Sequence, residues 1–302
     1  MSRRLRRGRL SVVAGVLSAV LAACGAPGES VTGEPDPTPV APSPVAVGSA
    51  SHEVVAGGLT RSYRVYRPQQ VADPAPLVFV FHGHGGSAAG IERHTGWNEW
   101  ADRQGALIVY PEGVQAGFNA GNCCGVAQAQ QVDDVAATLA TIDAVGAAVP
   151  VDPARIYSTG FSNGASMSYR LGCETDRFAA IGPVAGIQYV PCESPSNTSV
   201  LHLHGLADAT VPPAGQTRFD GTVVRPLEEV VAQWRSGLRC APATVTLVDT
   251  DEGDLRTIAA SCPGGRDVTL ITLERLGHTW PLAADGLDAT ARVSQFFEEH
   301  RR

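Results

Sequence analysis

Gly160-Phe161-Ser162-Asn163-Gly164 is the most informative motif in the chain. A short strand is predicted before it, over Arg155–Ser158, and a helix after it, over Ala165–Leu171. Gly-x-Ser-x-Gly between a strand and a helix is typical of a nucleophile elbow, in which the glycines permit a sharp, strained turn that exposes the serine hydroxyl above a sheet. A glycine-rich turn holding an ordinary serine is the alternative. The partners of Ser162 elsewhere in the chain distinguish the two.

Short apolar runs bounded by glycine alternate with helical stretches on both sides of this motif. Such runs predict buried parallel strands, and a period of 3.6 residues predicts the helices. The other predicted strands are Leu77–Phe81, Ala106–Tyr110, Ala179–Val184, Val200–His204 and Val268–Leu273, and the other predicted helices are Val132–Ala148, Leu227–Ser236 and Thr290–Glu299. This alternation predicts an α/β fold with a mostly parallel sheet, in one domain spanning residues 51–302.

A nucleophilic serine needs a base, and the base needs an acid that orients it. In α/β folds of this kind the order along the chain is serine, acid, histidine. His278 directly follows the last predicted strand, whereas His300 lies in a charged C-terminal segment and is expected to be solvated. Asp208 lies four residues beyond the strand Val200–His204 and is the predicted acid. Its rivals lie in a predicted hairpin tip and are Asp249, Asp251 and Asp254.

Acyl transfer also needs two backbone N–H groups that stabilise an oxyanion. Asn163, the residue after the serine, is predicted to supply one, and His84 in the His-Gly loop Phe81–Gly86 is predicted to supply the other. The His82 side chain is expected to be buried and to brace this loop. The His84 side chain is expected to face the cleft. An ordinary flexible turn at Gly85 and Gly86 is the alternative.

The N-terminus predicts export. Residues 1–23 combine an Arg-rich start with a short apolar run and read as a signal peptide. The run is too short to span a bilayer. Leu21-Ala22-Ala23-Cys24 resembles a lipobox, so we expect lipidation at Cys24, with plain secretion as the alternative. Residues 24–50 are rich in Pro, Gly and Ser and are predicted to form a disordered, lipid-anchored linker.

Six cysteines remain if Cys24 carries lipid, an even number in an oxidising compartment. Six cysteines allow 15 pairings. The economical pairs are Cys173 with Cys192 and Cys240 with Cys262, while Cys123 and Cys124 either form a vicinal disulfide or remain thiols. No metal site is expected, because the sequence has neither CxxC nor HExxH spacing.

Composition excludes several classes of function. The chain has 302 residues with 44% hydrophobic residues, enough for a sizeable core. Its formal charge of -7 falls to about -12 without the five Arg of residues 1–9, which argues against nucleic acid as a partner. All 23 basic residues are Arg. The absence of Lys excludes P-loop, Schiff-base and Ser-Lys chemistry, and no cofactor is expected.

Several motifs occur together in one order and resemble the polyhydroxybutyrate depolymerase-like esterase family. They are Phe-His-Gly-x-Gly-Gly, Tyr-Pro-Glu-Gly, Cys-Cys-Gly, Val-Asp-Asp-Val, Gly-Phe-Ser-Asn-Gly-Ala, His-Gly-x-x-Asp-x-x-Val-Pro and Gly-His-Thr-Trp-Pro. Within this family the chain is most similar to feruloyl esterase-like lipoproteins of carbohydrate esterase family 1. The resemblance implies an α/β-hydrolase fold, with helices on both faces of the sheet.

The resemblance also implies roles for individual residues. Ser162, Asp208 and His278 would form the catalytic triad, and Trp280 would line the substrate cleft. Asp133 and Asp134 would be mainly structural. Depolymerases of solid polymer usually carry a C-terminal surface-binding module, and because the sequence ends about 20 residues after His278, degradation of solid polyester is not expected.

The sequence therefore predicts an exported, monomeric serine esterase. Its expected substrates are feruloyl or acetyl esters of polysaccharides, or short hydroxyalkanoate oligomers. A depolymerase acting on polymer and a peptidase of the same fold are alternatives within the enzymes. A surface lipoprotein that binds without turnover is the alternative outside them.

Overall fold

The computed structural model describes residues 44–192, 195, 197–217 and 221–302. The chain divides into two units, Met1–Ala41 and Pro42–Arg302. The predicted signal peptide and Cys24 lie outside the described residues. Within the described part of the chain, no helix is long and apolar enough to cross a membrane.

One large sheet organises the second unit. Its strands follow the order β1-β2-β4-β3-β5-β6-β7-β12-β11-β10, and β8 and β9 form a separate pair. The six strands from β4 to β12 in this order run parallel, and antiparallel hairpins form both edges. The strands are β1 Gly48–Ala56, β2 Leu59–Arg67, β3 Ala75–Phe81, β4 Leu107–Pro111, β5 Val151–Phe161, β6 Ala180–Val184, β7 Ser199–Gly205, β8 Gln216–Thr217, β9 Val223–Val224, β10 Thr244–Val248, β11 Leu255–Cys262 and β12 Arg266–Leu273.

Helices cover both faces of this sheet. They are α1 Ala88–Thr95, α2 Trp97–Gln104, α3 Gly125–Ala129, α4 Asp134–Ala148, α5 Asn163–Glu174, α6 Leu227–Gly237 and α7 Ala289–Glu299. Apolar side chains of α4, α5 and α6 share one buried cluster with Leu77 and Phe79 of β3. Those of α1, α2 and α7 share the other with Val78 and Val80. Alternate residues of the fully buried β3 therefore face opposite helix layers.

The predicted α/β architecture is confirmed, and each predicted strand and helix is present within a few residues of its expected bounds. The hairpin β1–β2 was not predicted, because β1 exposes every second residue and carries little apolar signal. The linker boundary at residue 50 is wrong. Strand β1 begins at Gly48 and Val45 is already buried, so the folded unit starts before residue 51.

A buried ion pair holds the start of α4. Asp133 caps this helix by accepting a hydrogen bond from the Ala136 N–H. Asp134 pairs with Arg61 of β2, and it also accepts from the Asn119 N–H at 2.7 Å. Burial raises the pKa of the Asp134 carboxyl group, although Arg61 acts in the opposite direction. These contacts agree with the structural role expected for both aspartates.

Three disulfides are present among the described residues. Cys173 is joined to Cys192 and Cys240 to Cys262, with Cα–Cα distances of 5.7 and 3.8 Å, as the spacing predicted. Cys123 is also joined to its neighbour Cys124 in the structure. The first two bonds close loops of 19 and 22 residues, so they constrain the unfolded chain far more than a bond between neighbours does.

We expect the double variant Cys240→Ser/Cys262→Ser to lose about 3 kcal/mol of unfolding free energy, the chain-entropy value for a loop of this length. Urea denaturation monitored by circular dichroism measures this loss. The matched control is Cys123→Ser/Cys124→Ser, which opens almost no loop and should lose clearly less. Equal losses in the two variants would contradict the loop-entropy account.

Candidate active site

The elbow at Ser162 joins β5 to α5. Ser162 has φ 55° and ψ -115°, a left-handed conformation that costs a non-glycine residue about 1–3 kcal/mol. Gly160 and Gly164 allow the turn to lie close beneath the end of β3. A Cβ atom on Gly160 would lie 2.7 Å from the Phe81 carbonyl oxygen, and one on Gly164 would collide with the same atom. The predicted strained elbow is confirmed.

Three of the predicted side chains lie in hydrogen-bond contact. His278 Nε2 is 3.0 Å from Ser162 Oγ, and His278 Nδ1 is 2.7 Å from Asp208 Oδ2. The Asp208 carboxylate is buried, while His278 is partly exposed. Because Asp208 accepts a hydrogen bond from the Nδ1–H group of His278, the neutral imidazole presents its Nε2 lone pair to the serine.

Asp208 is held as a carboxylate at both oxygen atoms. Oδ1 accepts from the backbone N–H groups of Thr210 and Val211, each at 2.8 Å. Oδ2 faces His278 and, at 3.4 Å, His204 Nε2. Burial acts to raise the pKa of the Asp208 carboxyl group, but hydrogen bonds from His204, His278 and Val211 outweigh it and hold the pKa well below its usual value. Asp208 is therefore ionised at mildly acidic and neutral pH.

Backbone hydrogen bonds join the two loops that carry Asp208 and His278. Leu206 N–H donates to the Leu273 carbonyl at 2.8 Å, and Ala207 N–H donates to the Leu276 carbonyl at 3.0 Å. Gly205 lies so close to Leu276 that a side chain at this position would collide with the Leu276 carbonyl. The acid and the histidine are thus held together by main-chain contacts as well as by their side chains. The rival aspartates lie in the exposed turn between β10 and β11, as expected.

The loop after β3 forms another wall of the site. His82 is buried, with Nδ1 donating to the Gly83 carbonyl at 2.8 Å and Nε2 accepting from the Gly113 N–H at 3.0 Å. Burial lowers the pKa of the His82 imidazole, in keeping with this neutral bracing role. His84 is exposed and lines the cleft. Both placements agree with the sequence-based expectation.

The Asn163 side chain fastens a cysteine-bearing loop to the elbow. Its Oδ1 accepts from the Phe118 N–H at 2.8 Å, and its Nδ2 donates to the Phe118 carbonyl at 2.9 Å. The same carbonyl accepts from the Cys124 N–H at 3.1 Å. Sequence analysis assigned Asn163 only a backbone role and missed this clamp. The Cys123-Cys124 pair was the feature of the sequence that could have drawn attention to this loop, since both cysteines line the cleft beside Ser162.

Two sequence-based placements are wrong. Trp280 does not line the cleft: its side chain is 2% exposed, packs in the cluster with α7, and donates from Nε1 to Thr290 Oγ1. The loop turns inward after His278, so the His278 side chain faces the cleft and the Trp280 side chain faces the core. His300 is also buried rather than solvated, because its imidazole lies between the Phe296 carbonyl and Asp267.

The cleft over Ser162 has a volume of about 880 Å³. Its walls combine two aromatic side chains, Phe161 and Tyr189, with the polar side chains Asn122, Gln128, Thr210 and Thr222. Asn122 and Gln128 also line a neighbouring groove of about 690 Å³, so the two spaces are adjacent and share these two side chains. Within the described residues, no cluster of His, Cys, Asp and Glu has the arrangement of a metal site.

The chain is similar to known esterases in sequence and in fold. Residues 61–214 match the family described as Esterase PHB depolymerase. NocK, an inferred esterase from Nocardia uniformis subsp. tsuyamanensis, is 33% identical over 322 residues, covering 91% of this chain and 90% of NocK. Feruloyl esterase B from Piromyces equi is 36% identical over 116 residues, covering 37% of this chain and 21% of that protein.

Among solved structures, the acetyl xylan esterase from Aspergillus awamori is similar with a TM-score of 0.63 at 15% identity, covering 83% of this chain and 99% of that one. This likeness confirms the predicted α/β-hydrolase fold. The family match and the long alignment with NocK confirm the expected family. The chain therefore belongs to the esterase PHB depolymerase family, and it is a carboxylic ester hydrolase.

Proposed function

We propose that this protein hydrolyses carboxylic esters through a triad of Ser162, His278 and Asp208. The observation that carries the proposal is the continuous contact from Ser162 Oγ to His278 Nε2 at 3.0 Å and from His278 Nδ1 to Asp208 Oδ2 at 2.7 Å. These distances lie in the range required of a nucleophile, its base and the acid that orients the base. The strained backbone at Ser162 directs its hydroxyl toward the open cleft.

The reaction takes place in two halves. In the first, His278 Nε2 removes the Ser162 proton while Oγ attacks the ester carbonyl carbon, and a tetrahedral oxyanion forms. His278 then returns the proton to the departing alcohol, and the acyl group remains on Ser162. In the second half, His278 Nε2 takes a proton from a water molecule while the water oxygen attacks the acyl carbon, and the proton then passes to Ser162 Oγ as its bond to the acyl carbon breaks and the acid leaves. The anionic Asp208 stabilises the imidazolium that forms in each half.

The oxyanion is stabilised by the backbone N–H groups of His84 and Asn163. Asn163 is the first residue of α5, where the positive end of the helix dipole favours negative charge. In the loop after β3, Gly85 N–H donates to the Ala116 carbonyl and Gly86 N–H to the Gly83 carbonyl, so neither is directed at a substrate. His84 precedes both and lines the cleft with Ser162.

The substrate class that the cleft fits best is an ester whose alcohol is a sugar. Phe161 and Tyr189 offer flat apolar surface to an acyl group. Asn122 and Gln128 continue from the cleft into the neighbouring groove, where carboxamide groups suit sugar hydroxyls. Feruloyl and acetyl esters of polysaccharides combine these two parts. Short hydroxyalkanoate oligomers would use the aromatic part of the cleft alone.

Export and anchoring complete the proposal. A lipidated Cys24 would hold the enzyme at the outer face of a membrane through residues 25–43, where polymeric substrates that cannot enter a cell are accessible. Plain secretion after cleavage of residues 1–23 would serve the same chemistry. The disulfides of the folded unit suit either oxidising compartment.

Replacing Ser162 with Ala should lower kcat for a p-nitrophenyl ester by about 10,000-fold or more, because the nucleophile is lost. The fold should be retained, since Ala removes a single exposed hydroxyl. An organophosphonate should label wild-type protein at Ser162 with one adduct per chain by mass spectrometry, and it should not label the variant. Absence of both labelling and turnover in the wild type would favour a surface protein that binds without catalysis.

Asp208→Asn should keep the shape of the loop but remove the anion that stabilises the imidazolium and fixes its tautomer. We expect kcat to fall by about 10,000-fold with little change in KM. Asp254→Asn, in the exposed β10–β11 turn, is the matched control and should leave both constants unchanged. The acid would be misassigned if the Asp208 variant were nearly as active as wild type.

The substrate proposal is tested with methyl ferulate and a feruloylated oligosaccharide, which differ only in the alcohol. Gln128→Ala should raise KM for the oligosaccharide about 5-fold, the loss of one neutral hydrogen bond, and leave methyl ferulate unaffected. Gln130→Ala is the control, because Gln130 ends the same helix outside both spaces. Equal effects of Gln128→Ala on both esters, or faster turnover of hydroxybutyrate oligomers than of either, would contradict a sugar site.

A further inference from the structure

A file of buried polar side chains extends from Asp208 into the protein, on the side away from the cleft. His204 and His202 occupy alternate positions of β7, so they project from the same face of the strand. Their rings stack with centroids 5.2 Å apart. Tyr169 of α5 follows His202, and its side chain is fully buried. Burying a polar group costs free energy unless the group is hydrogen-bonded.

The file is continuous. Tyr169 Oη is 2.7 Å from His202 Nδ1, and His202 Nε2 is 2.9 Å from His204 Nδ1. His204 Nε2 is 2.8 Å from the Val211 carbonyl oxygen and 3.4 Å from Asp208 Oδ2. Every ring nitrogen of both histidines therefore faces a partner.

The groups nearest Asp208 determine which atom is the donor in each of these hydrogen bonds. The Val211 carbonyl and the Asp208 carboxylate are both acceptors, so His204 Nε2 carries the hydrogen. His204 Nδ1 then accepts from His202 Nε2. His202 Nδ1 in turn accepts from the Tyr169 hydroxyl. One arrangement of hydrogens satisfies every group, and in it each donor points toward Asp208.

Burial keeps His202 and Tyr169 in their neutral forms. It lowers the pKa of the His202 imidazole well below its usual value, and the neighbouring His204 acts in the same direction. Burial also raises the pKa of the Tyr169 hydroxyl. Both groups remain neutral at mildly acidic and neutral pH, while the Val211 carbonyl and the Asp208 carboxylate require the hydrogen on His204 Nε2.

This arrangement affects one carboxylate oxygen of Asp208. Asp208 Oδ1 is fixed by two backbone N–H groups, whereas Oδ2, the atom that meets His278, has side-chain donors on two sides. His278 moves protons during the proposed reaction and is partly exposed, but His204 is 1% exposed and belongs to a strand. His204 is thus the fixed donor beside the oxygen on which the orientation of His278 depends.

We propose that His204 is a positioning residue for the reaction. Its Nε2–H, oriented by His202 and Tyr169, holds Asp208 Oδ2 where it orients His278 and keeps the negative charge at that atom. This inference rests on the proposed function, because it assigns His204 a role only if Asp208 is the acid of the triad.

Two polar variants separate this role from general support of the core. In His204→Gln the amide nitrogen lies near the place of Nε2, so the donor to Asp208 is kept. In His204→Asn the shorter side chain reaches only the place of Nδ1, so the link to His202 is kept and the donor to Asp208 is lost. We expect kcat to fall about 10- to 100-fold in the Asn variant, the effect of losing a hydrogen bond to a charged group, with KM changed less than threefold. The Gln variant should lie within about fivefold of wild type.

The measurement is kcat for a p-nitrophenyl ester per active site, with sites counted by organophosphonate labelling so that unfolded protein does not contribute. His300→Asn is the matched control, because His300 is also buried and hydrogen-bonded but contacts Asp267 at the opposite end of β12. It should lower the melting temperature without changing kcat per site. Wild-type kcat in His204→Asn, or equal losses in the Asn and Gln variants, would overturn the proposal.

These outcomes are distinct from failure of the proposed function. If wild-type protein is labelled at Ser162 and Asp208→Asn abolishes turnover, the triad stands whatever the His204 variants do. If wild-type protein is neither labelled nor active, the triad itself fails. A full kcat in His204→Asn beside an inactive Asp208→Asn would reject His204 alone.

Discussion

The backbone conformation of Ser162 is the constraint on which the rest of the site depends. A side chain at φ 55° persists only where its surroundings over-determine it, and here the surroundings are the buried central strands. Gly160 and Gly164 let the turn approach the end of β3, and the Ser162 N–H donates to the Val184 carbonyl of β6 at 2.9 Å. Strands on both sides of β5 thus hold the turn. The strained residue is the proposed nucleophile, and the helix that begins after it carries one of the proposed oxyanion donors.

The remaining partners reach the elbow because parallel strands end at one edge of the sheet. Strands β7 and β12 are neighbours, so the loops that follow them carry Asp208 and His278 side by side. Main-chain hydrogen bonds between those loops make their separation a property of the sheet rather than of flexible side chains. Directed N–H groups of the described residues surround the Asp208 carboxylate, and His278 is the partner that becomes an imidazolium in the proposed reaction.

Sequence reasoning succeeded where local chemistry and chain order suffice. Gly-x-Ser-x-Gly requires a turn that few sequences permit, and strand ends locate the loops where Asp208 and His278 lie. It failed for Trp280 and His300, because the direction of a loop side chain depends on distant residues such as Thr290 and Asp267. It also missed β1, whose alternating exposure on an edge hairpin leaves no apolar run. The pattern His-x-His in β7 was visible, but only the fold shows that both rings align behind Asp208.

The clamp at Asn163 links specificity to catalysis. Its backbone belongs to the proposed oxyanion site, while its side chain grips Phe118 at the base of the loop that carries the vicinal cysteines. That loop and α3, which follows it, supply Cys123, Cys124, Asn122 and Gln128 to the cleft wall. The base of this wall is therefore anchored at the residue next to the nucleophile, and Asn119 also ties it to Asp134 at the start of α4. Its outer side chains can change without moving the triad, since the triad rests on β5, β7 and β12. The elbow can therefore stay the same while the side chains of the cleft wall vary, which is a physical route to different ester substrates on one fold.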